Sequence, residues 1–241
     1  MACTTDTTDF IESIPYFNED DEFPCMYAGT VNTDGSDHNL FYWLFKNTAS
    51  TEELPLIIWL NGGPGSSSMF GLFLENGPLR INRTGTTDED YLVYLNPEGS
   101  WLESGHLLFV DQPVDTGFSY GSPPVQQMQT GADEFVILLR DVYNTHPEFQ
   151  DLDLYITGES YAGKYIPIFA ETIIDQNAAA EAGDFIIPLA GIAMGDPYTS
   201  PGIQRVRTPS IAQGLDLIDD YQMDQIDVLQ RKCEEAVSTN Q

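Results

Sequence analysis

Apolar residues in this chain fall into short runs bounded by glycine, proline and polar clusters, with stretches of helical spacing between them. The runs Met26–Val31 and Leu40–Phe45, separated by a segment rich in Asn, Asp, Gly and Ser, predict a hairpin. Leu56–Leu60, His106–Val110 and Ile186–Met194 are apolar enough for interior strands, and Gly195-Asp196-Pro197 ends the last of them. Leu154–Thr157, apolar and partly β-branched, predicts a central strand buried on both faces and stopped at Gly158. Gly131–Tyr143 and Tyr165–Glu171 carry helical periodicity, and Ala178–Ala180 marks a helix end. Alternation of strands with helices predicts an α/β domain with a mostly parallel sheet, which the hairpin would open on its antiparallel side. Past Pro197 the texture changes. Ser200–Gly214 holds Pro201 and Pro209 and little periodicity, and Leu215–Val237 predicts an acidic amphipathic helical pair, so a boundary is placed near Ser200.

The length of 241 residues suits one large domain, or one domain and part of another. Nine Lys and Arg against 38 Asp and Glu give a formal charge of −29, which argues against nucleic acid and anionic membrane surfaces as partners. Two explanations fit that charge: an acidic, soluble surface, or an enzyme working at low pH, where partial protonation relieves self-repulsion. The opening MACTTDTTDF has no basic segment followed by an apolar run, and no window is long and apolar enough to span a bilayer. Cys3, Cys25 and Cys233 cannot all pair within the chain; partners in absent sequence and ordinary unpaired roles stand as alternatives for Cys25 and Cys233. Asn82-Arg83-Thr84 is a candidate N-glycosylation triplet.

Candidate chemistry centres on LYITGESYAGKYIPIF, where a strand, a sharp turn holding Ser160 and a helix predict a nucleophile elbow. The pattern is G-x-S-x-A-G, with the usual last glycine displaced by one residue; the alternative is a serine in an ordinary glycine loop. A second apolar strand runs into Asn61-Gly62-Gly63-Pro64-Gly65, which fits an oxyanion loop, a phosphate loop or a plain turn, and it lacks the Walker lysine. No metal or cofactor is expected.

With WLNGGPG, LLFVDQPVDTGFSY and GESYAGKYIP standing in that order, the chain resembles the serine carboxypeptidase family, most clearly in these blocks and more faintly from Phe23 to Val237. The resemblance implies an α/β-hydrolase fold: residues 1–22 an N-terminal extension, 23–199 the N-terminal part of the core, and 200–241 the start of a helical cap. It implies Ser160 as nucleophile and the backbone N–H groups of Gly63 and Tyr161 as the oxyanion hole. Asn61, Gly62, Glu75 and Glu159 match the set that holds the substrate's free C-terminal carboxylate; taken singly, the alternatives are a helix-surface residue for Glu75 and a plain elbow residue for Glu159, and Trp59 reads as a packing residue, which in the family supports that set. Two carboxyl groups facing a third cannot all be ionised, so one must hold a proton, and acidic pH should favour activity. The partner implied is a peptide or protein C-terminus.

The sequence departs from the family in places. Ser66 replaces the usual cysteine after GGPG, which puts that disulfide in doubt, and Lys164 stands where many members have histidine or glutamine. In this fold the acid and histidine follow the nucleophile, yet His38, His106 and His146 all precede Ser160 and read as structural. Asp196 reads as a turn residue. The chain is therefore expected to be an incomplete N-terminal portion that lacks the triad Asp and His and is inactive alone. A vacuolar, lysosomal or secreted location, with a signal segment removed or omitted, follows from the family. An acyltransferase or esterase of the same family, or a non-catalytic homologue, are the alternatives.

Overall fold

The computed structural model describes residues 2–33, 37–87, 90–204 and 208–239. Contacts group the chain into two units, Met1–Pro197 and Tyr198–Gln241.

The first unit is built on a six-stranded sheet. In chain order its elements are β1 (Met26–Asn32), β2 (Asn39–Phe45), β3 (Leu56–Leu60), α1 (Met69–Leu74), β4 (Leu79–Arg83), β5 (Tyr91–Leu95), β6 (His106–Asp111), α2 (Met128–Thr145), β7 (Leu154–Glu159), α3 (Ala162–Ala179) and β8 (Leu189–Gly195). The sheet runs β1-β2-β6-β3-β7-β8, and β4 with β5 forms a separate antiparallel hairpin. β1, β2 and β6 pair antiparallel, whereas β6, β3, β7 and β8 run parallel. The predicted hairpin thus opens the antiparallel side; its turn, Asp34-Gly35-Ser36, lies outside the described residues.

Strand alternation sends neighbouring side chains to opposite faces, and two cores result. Ile58, Leu60, Leu108 and Val110 pack with Phe135, Leu139, Ile166 and Phe169 of α2 and α3, while Trp59, Leu107 and Phe109 pack with Met69, Leu72, Leu79 and Val93 on the other face. Helices therefore flank a mostly parallel sheet, as the sequence pattern predicts. Burial of β7 on both faces was also predicted, and this needs correction: Leu154 and Ile156 are fully buried, but Tyr155 on the opposite face is 37% exposed. The last strand starts at Leu189, because Ile186 is exposed and Ile187 turns into the core.

Residues near the N-terminus lie along β1. Ile11 N–H donates to Met26 O, Ala28 N–H donates to Asp9 O, and Cys3 is disulfide-bonded to Cys25, leaving Cys233 free and exposed. In the second unit α4 (Pro201–Gln204), α5 (Thr208–Gly214) and α6 (Asp220–Ser238) are helical. The sequence predicts two helices after Leu215; instead one long helix follows the turn after α5, which itself occupies the stretch read as aperiodic.

Candidate active site

Parallel register builds the site. Leu60 pairs with Gly158, Trp59 with Phe109, and Glu159 with Gly195, so Asn61, Asp111 and Glu159-Ser160 emerge together at the C-terminal edge of the sheet. That edge is where open α/β sheets bind ligands.

Ser160 stands between the end of β7 and the start of α3 with φ at 57°, a left-handed conformation costly to any residue bearing a Cβ. Its N–H donates to Gly195 O at 3.0 Å, and the Gly163 N–H returns to Ser160 O at 3.0 Å. Among the described residues no side chain bonds its Oγ. The backbone turn itself holds the serine.

The Asn61–Gly65 loop sits directly against this elbow. A Cβ on Gly62 would overlap Tyr161 N and approach Ser160 Cβ to 3.0 Å, so only glycine permits the contact. Gly158 is constrained likewise, since a Cβ there would run into Leu60 O and meet Ala162 Cβ at 2.9 Å. The structure therefore brings Gly62 and the elbow together, with Gly63 next in the loop at φ 109°.

Asn61 is 3% exposed and forms the hub of a polar cluster. Its Oδ1 accepts from Trp59 Nε1 at 2.9 Å and Gly71 N–H at 3.0 Å, which fixes the amide orientation. Its Nδ2 consequently donates to the Glu75 carboxylate at 3.2 and 3.3 Å and to Glu159 Oε1 at 3.4 Å. Burial of the carboxyl and the charge of Glu159 together raise the Glu75 pKa, outweighing the opposing Asn61 hydrogen bonds. Glu75 is nonetheless open to solvent, and Phe70 and Leu74 on the adjoining α1 are each 59% exposed. Trp59 packs edge-to-face on Trp101 with ring centres 5.3 Å apart, and its Nε1 donates to Asn61 Oδ1.

One participant escaped the sequence reading. Asp111, fully buried at the end of β6, accepts from Ser68 N–H and Ser67 Oγ at 2.7 Å and from Phe118 N–H at 2.9 Å. Burial raises its pKa, and these hydrogen bonds act in the opposite direction. Ser68 Oγ donates to Val110 O at 2.6 Å and accepts from Asn61 N–H at 3.2 Å. The chain Asp111–Ser68–Asn61 thus ties the FVDQP and TGFSY segments to the loop. A lone charge closing an otherwise apolar strand was the available signal.

The three histidines serve elsewhere. His38 Nδ1 lies 2.6 Å from Glu134 Oε1, and His146 Nε2 lies 2.8 Å from Asp9 Oδ2, whose other contact is the Tyr42 hydroxyl at 2.6 Å. His106 Nδ1 accepts from Asn47 N–H, and burial, with help from the Lys46 charge, pushes its pKa down to about 4. Asp196 is exposed in a left-handed turn, as its sequence suggests. Asn82 lies on β4, exposed. Among the described residues no group of three His, Cys, Asp or Glu side chains is placed to hold a metal ion.

Comparison with known proteins identifies the family. Residues 15–241 match the family model described as serine carboxypeptidase. The chain is 41% identical over 199 residues to the pheromone-processing carboxypeptidase KEX1 of Arthroderma otae, covering 81% of this chain and 30% of that protein. It is 39% identical over 214 residues to kex1 of Aspergillus terreus, covering 87% and 33%. The crystal structure of Kex1(delta)p, a prohormone-processing carboxypeptidase from Saccharomyces cerevisiae, superposes with a TM-score of 0.80 at 32% identity, covering 90% of this chain and 48% of that one. The chain therefore spans about a third of the length of these relatives and about half of the solved neighbour. The family match over residues 15–241 and the superposition on Kex1(delta)p show that the chain belongs to the serine carboxypeptidase family, with an α/β-hydrolase fold.

Proposed function

We propose that this site is the nucleophile and recognition half of a serine-type carboxypeptidase. The observation that carries the reading is the Asn61 amide held between Glu75 and Glu159 beside the Ser160 elbow. Ser160 Oγ attacks the last peptide carbonyl. The developing oxyanion is held by the backbone N–H groups of Gly63 and Tyr161, and the positive end of α3 adds to their effect. Asn61 Nδ2, the Gly62 N–H and a protonated carboxyl of the Glu75–Glu159 pair receive the substrate's terminal carboxylate. A mid-chain bond presents no such group, so the enzyme is an exopeptidase. The exposed faces of Phe70 and Leu74 border the terminal side chain. Glu75 must carry its proton to donate, and its raised pKa supports a preference for acidic pH.

A hydroxyl needs a base, and the three histidines of this chain are held in structural contacts away from the elbow. The triad Asp and His then come from sequence outside these 241 residues, and the chain alone is inactive. The large negative charge supports a peptide partner over nucleic acid. Asn82, exposed in its triplet, is the candidate glycan site of a vacuolar, lysosomal or secreted protein.

The test is labelling of Ser160 by a serine-directed phosphonate, with and without the remainder of the polypeptide supplied. Labelling only when it is supplied supports the reading; equally strong labelling of the 241-residue chain alone contradicts the absent base.

A further inference from the structure

The carboxylate of Asp111 lies fully buried at the end of β6, where burial disfavours its charged form. Its partners are neutral donors: Ser67 Oγ, the Ser68 N–H and the Phe118 N–H, with the Met69 N–H also turned toward it. Ser67, Ser68 and Met69 lead into α1. Gly117, at φ 56°, lets the TGFSY turn close over the carboxylate, since a Cβ there would strike Asp111 Oδ2.

With six residues α1 has too few turns to hold its shape alone, so its place is set by what grips it. Asp111 grips the start. Asn61 grips the middle, where its Oδ1 accepts from the Gly71 N–H; a Cβ on Gly71 would overlap Trp59 Nε1, so only glycine lets the helix lie this close. Glu75 follows one turn later, its N–H donating to Gly71 O at 3.2 Å, and residues four apart share a helix face. The same Asn61 amide therefore reaches Glu75 with its Nδ2. Ser68 supplies a second link: its Oγ makes no capping bond to α1 and instead donates to Val110 O and accepts from the Asn61 N–H. One carboxylate thus fixes the Asn61 backbone through Ser68 and the helix that leads to Glu75.

We propose that Asp111 is a positioning residue for recognition of the terminal carboxylate, setting the Asn61 amide and Glu75 in their working places through Ser68 and α1. This role rests on the recognition proposed for Asn61 and Glu75, and Asp111 itself touches no substrate atom.

Calorimetry at about pH 5 tests it, with one peptide as its C-terminal acid and as its C-terminal amide. In Asp111→Asn and in Ser68→Ala the acid's advantage should fall about fivefold while affinity for the amide holds. Ser68→Ala carries the test if Asp111→Asn fails to fold, since it breaks the link without uncapping α1. Asp9→Asn, which alters a different buried carboxylate, bonded to His146 and Tyr42, should keep the full advantage. The N–H NMR signal of the Trp59 indole, assigned by Trp59→Phe, reports the Asn61 amide. It should move in Asp111→Asn and Ser68→Ala while the signal of the Trp43 indole, bonded to Met26 Sδ, stays. Equal affinity of the parent protein for acid and amide would remove the recognition reading and this role with it. A parent preference that survives in either variant that folds, a loss shared by the amide peptide or by Asp9→Asn, or a fall with the Trp59 signal unmoved would leave that reading standing and overturn the role of Asp111.

Discussion

Replacing Ser160 by glycine should stabilise the protein. At φ 57° the serine Cβ crowds its own backbone, which costs about 1–2 kcal/mol for a non-glycine residue. Glycine removes that strain and adds about 0.5–1 kcal/mol of backbone entropy to be lost on folding, so the net gain is about 0.5–1 kcal/mol. Nothing offsets it: Oγ has no partner among the described residues, and the Ser160 N–H bond to Gly195 O does not involve the side chain. For a chain of this size the gain corresponds to roughly 1–4 °C in Tm. Ser160→Ala keeps the Cβ and should leave Tm unchanged. Urea and thermal unfolding of the three proteins measure the difference. A glycine variant no more stable than the alanine variant would refute strain at the elbow, and with it the view that the turn holds this serine at the expense of stability.

Three further outcomes are expected. Asp111→Asn turns an amide donor toward the Phe118 N–H or the Ser68 N–H, and should cost about 3 kcal/mol in urea unfolding, since a buried acceptor of several bonds is lost. Glu75→Gln should flatten the pH dependence of peptide-acid binding: in the parent, binding weakens as pH rises through the raised Glu75 pKa, whereas a glutamine stays neutral. A variant with an unchanged profile would remove Glu75 from recognition. Burial works to raise the Asp9 pKa, yet the hydrogen bonds from His146 and Tyr42 prevail and hold it at about 2 against an ordinary 3.8. A depressed carboxylate stabilises above its unfolded value, so this contribution is whole above pH 4 and falls away toward pH 2; Asp9→Asn should be less stable at pH 6 and lose the difference by pH 2, as followed by thermal unfolding across pH.

Much of the site could be read from the sequence because it is made of strand ends. Short apolar runs fix β3, β6 and β7, and parallel register then brings Asn61 and Glu159 to one edge without further information. α1 went unread although it carries Gly71 and leads directly into Glu75: six residues give too few turns for periodicity to register. The β4–β5 hairpin escaped because only Leu79 and Val93 are buried along it, so no alternation stands out. Contacts distant along the chain were equally hidden. The Cys3–Cys25 bond follows from residues 9–11 lying beside β1, and Asp9 meets His146 only once α2 has packed on the sheet. Asp111 stood within a quoted block, but only the fold shows that its carboxylate fastens the loop bearing Asn61.

The central claim is that Asn61, Glu75 and Glu159 read a free carboxylate. Its most direct test is the affinity of the protein, measured by calorimetry at pH 5, for one peptide as its C-terminal acid and as its C-terminal amide. Hydrogen bonds to a charged group contribute about 1.5–3 kcal/mol, so the acid should bind at least about tenfold tighter, and Asn61→Ala should abolish the preference. Equal affinity for the two peptides, or a preference that survives Asn61→Ala, would contradict the account.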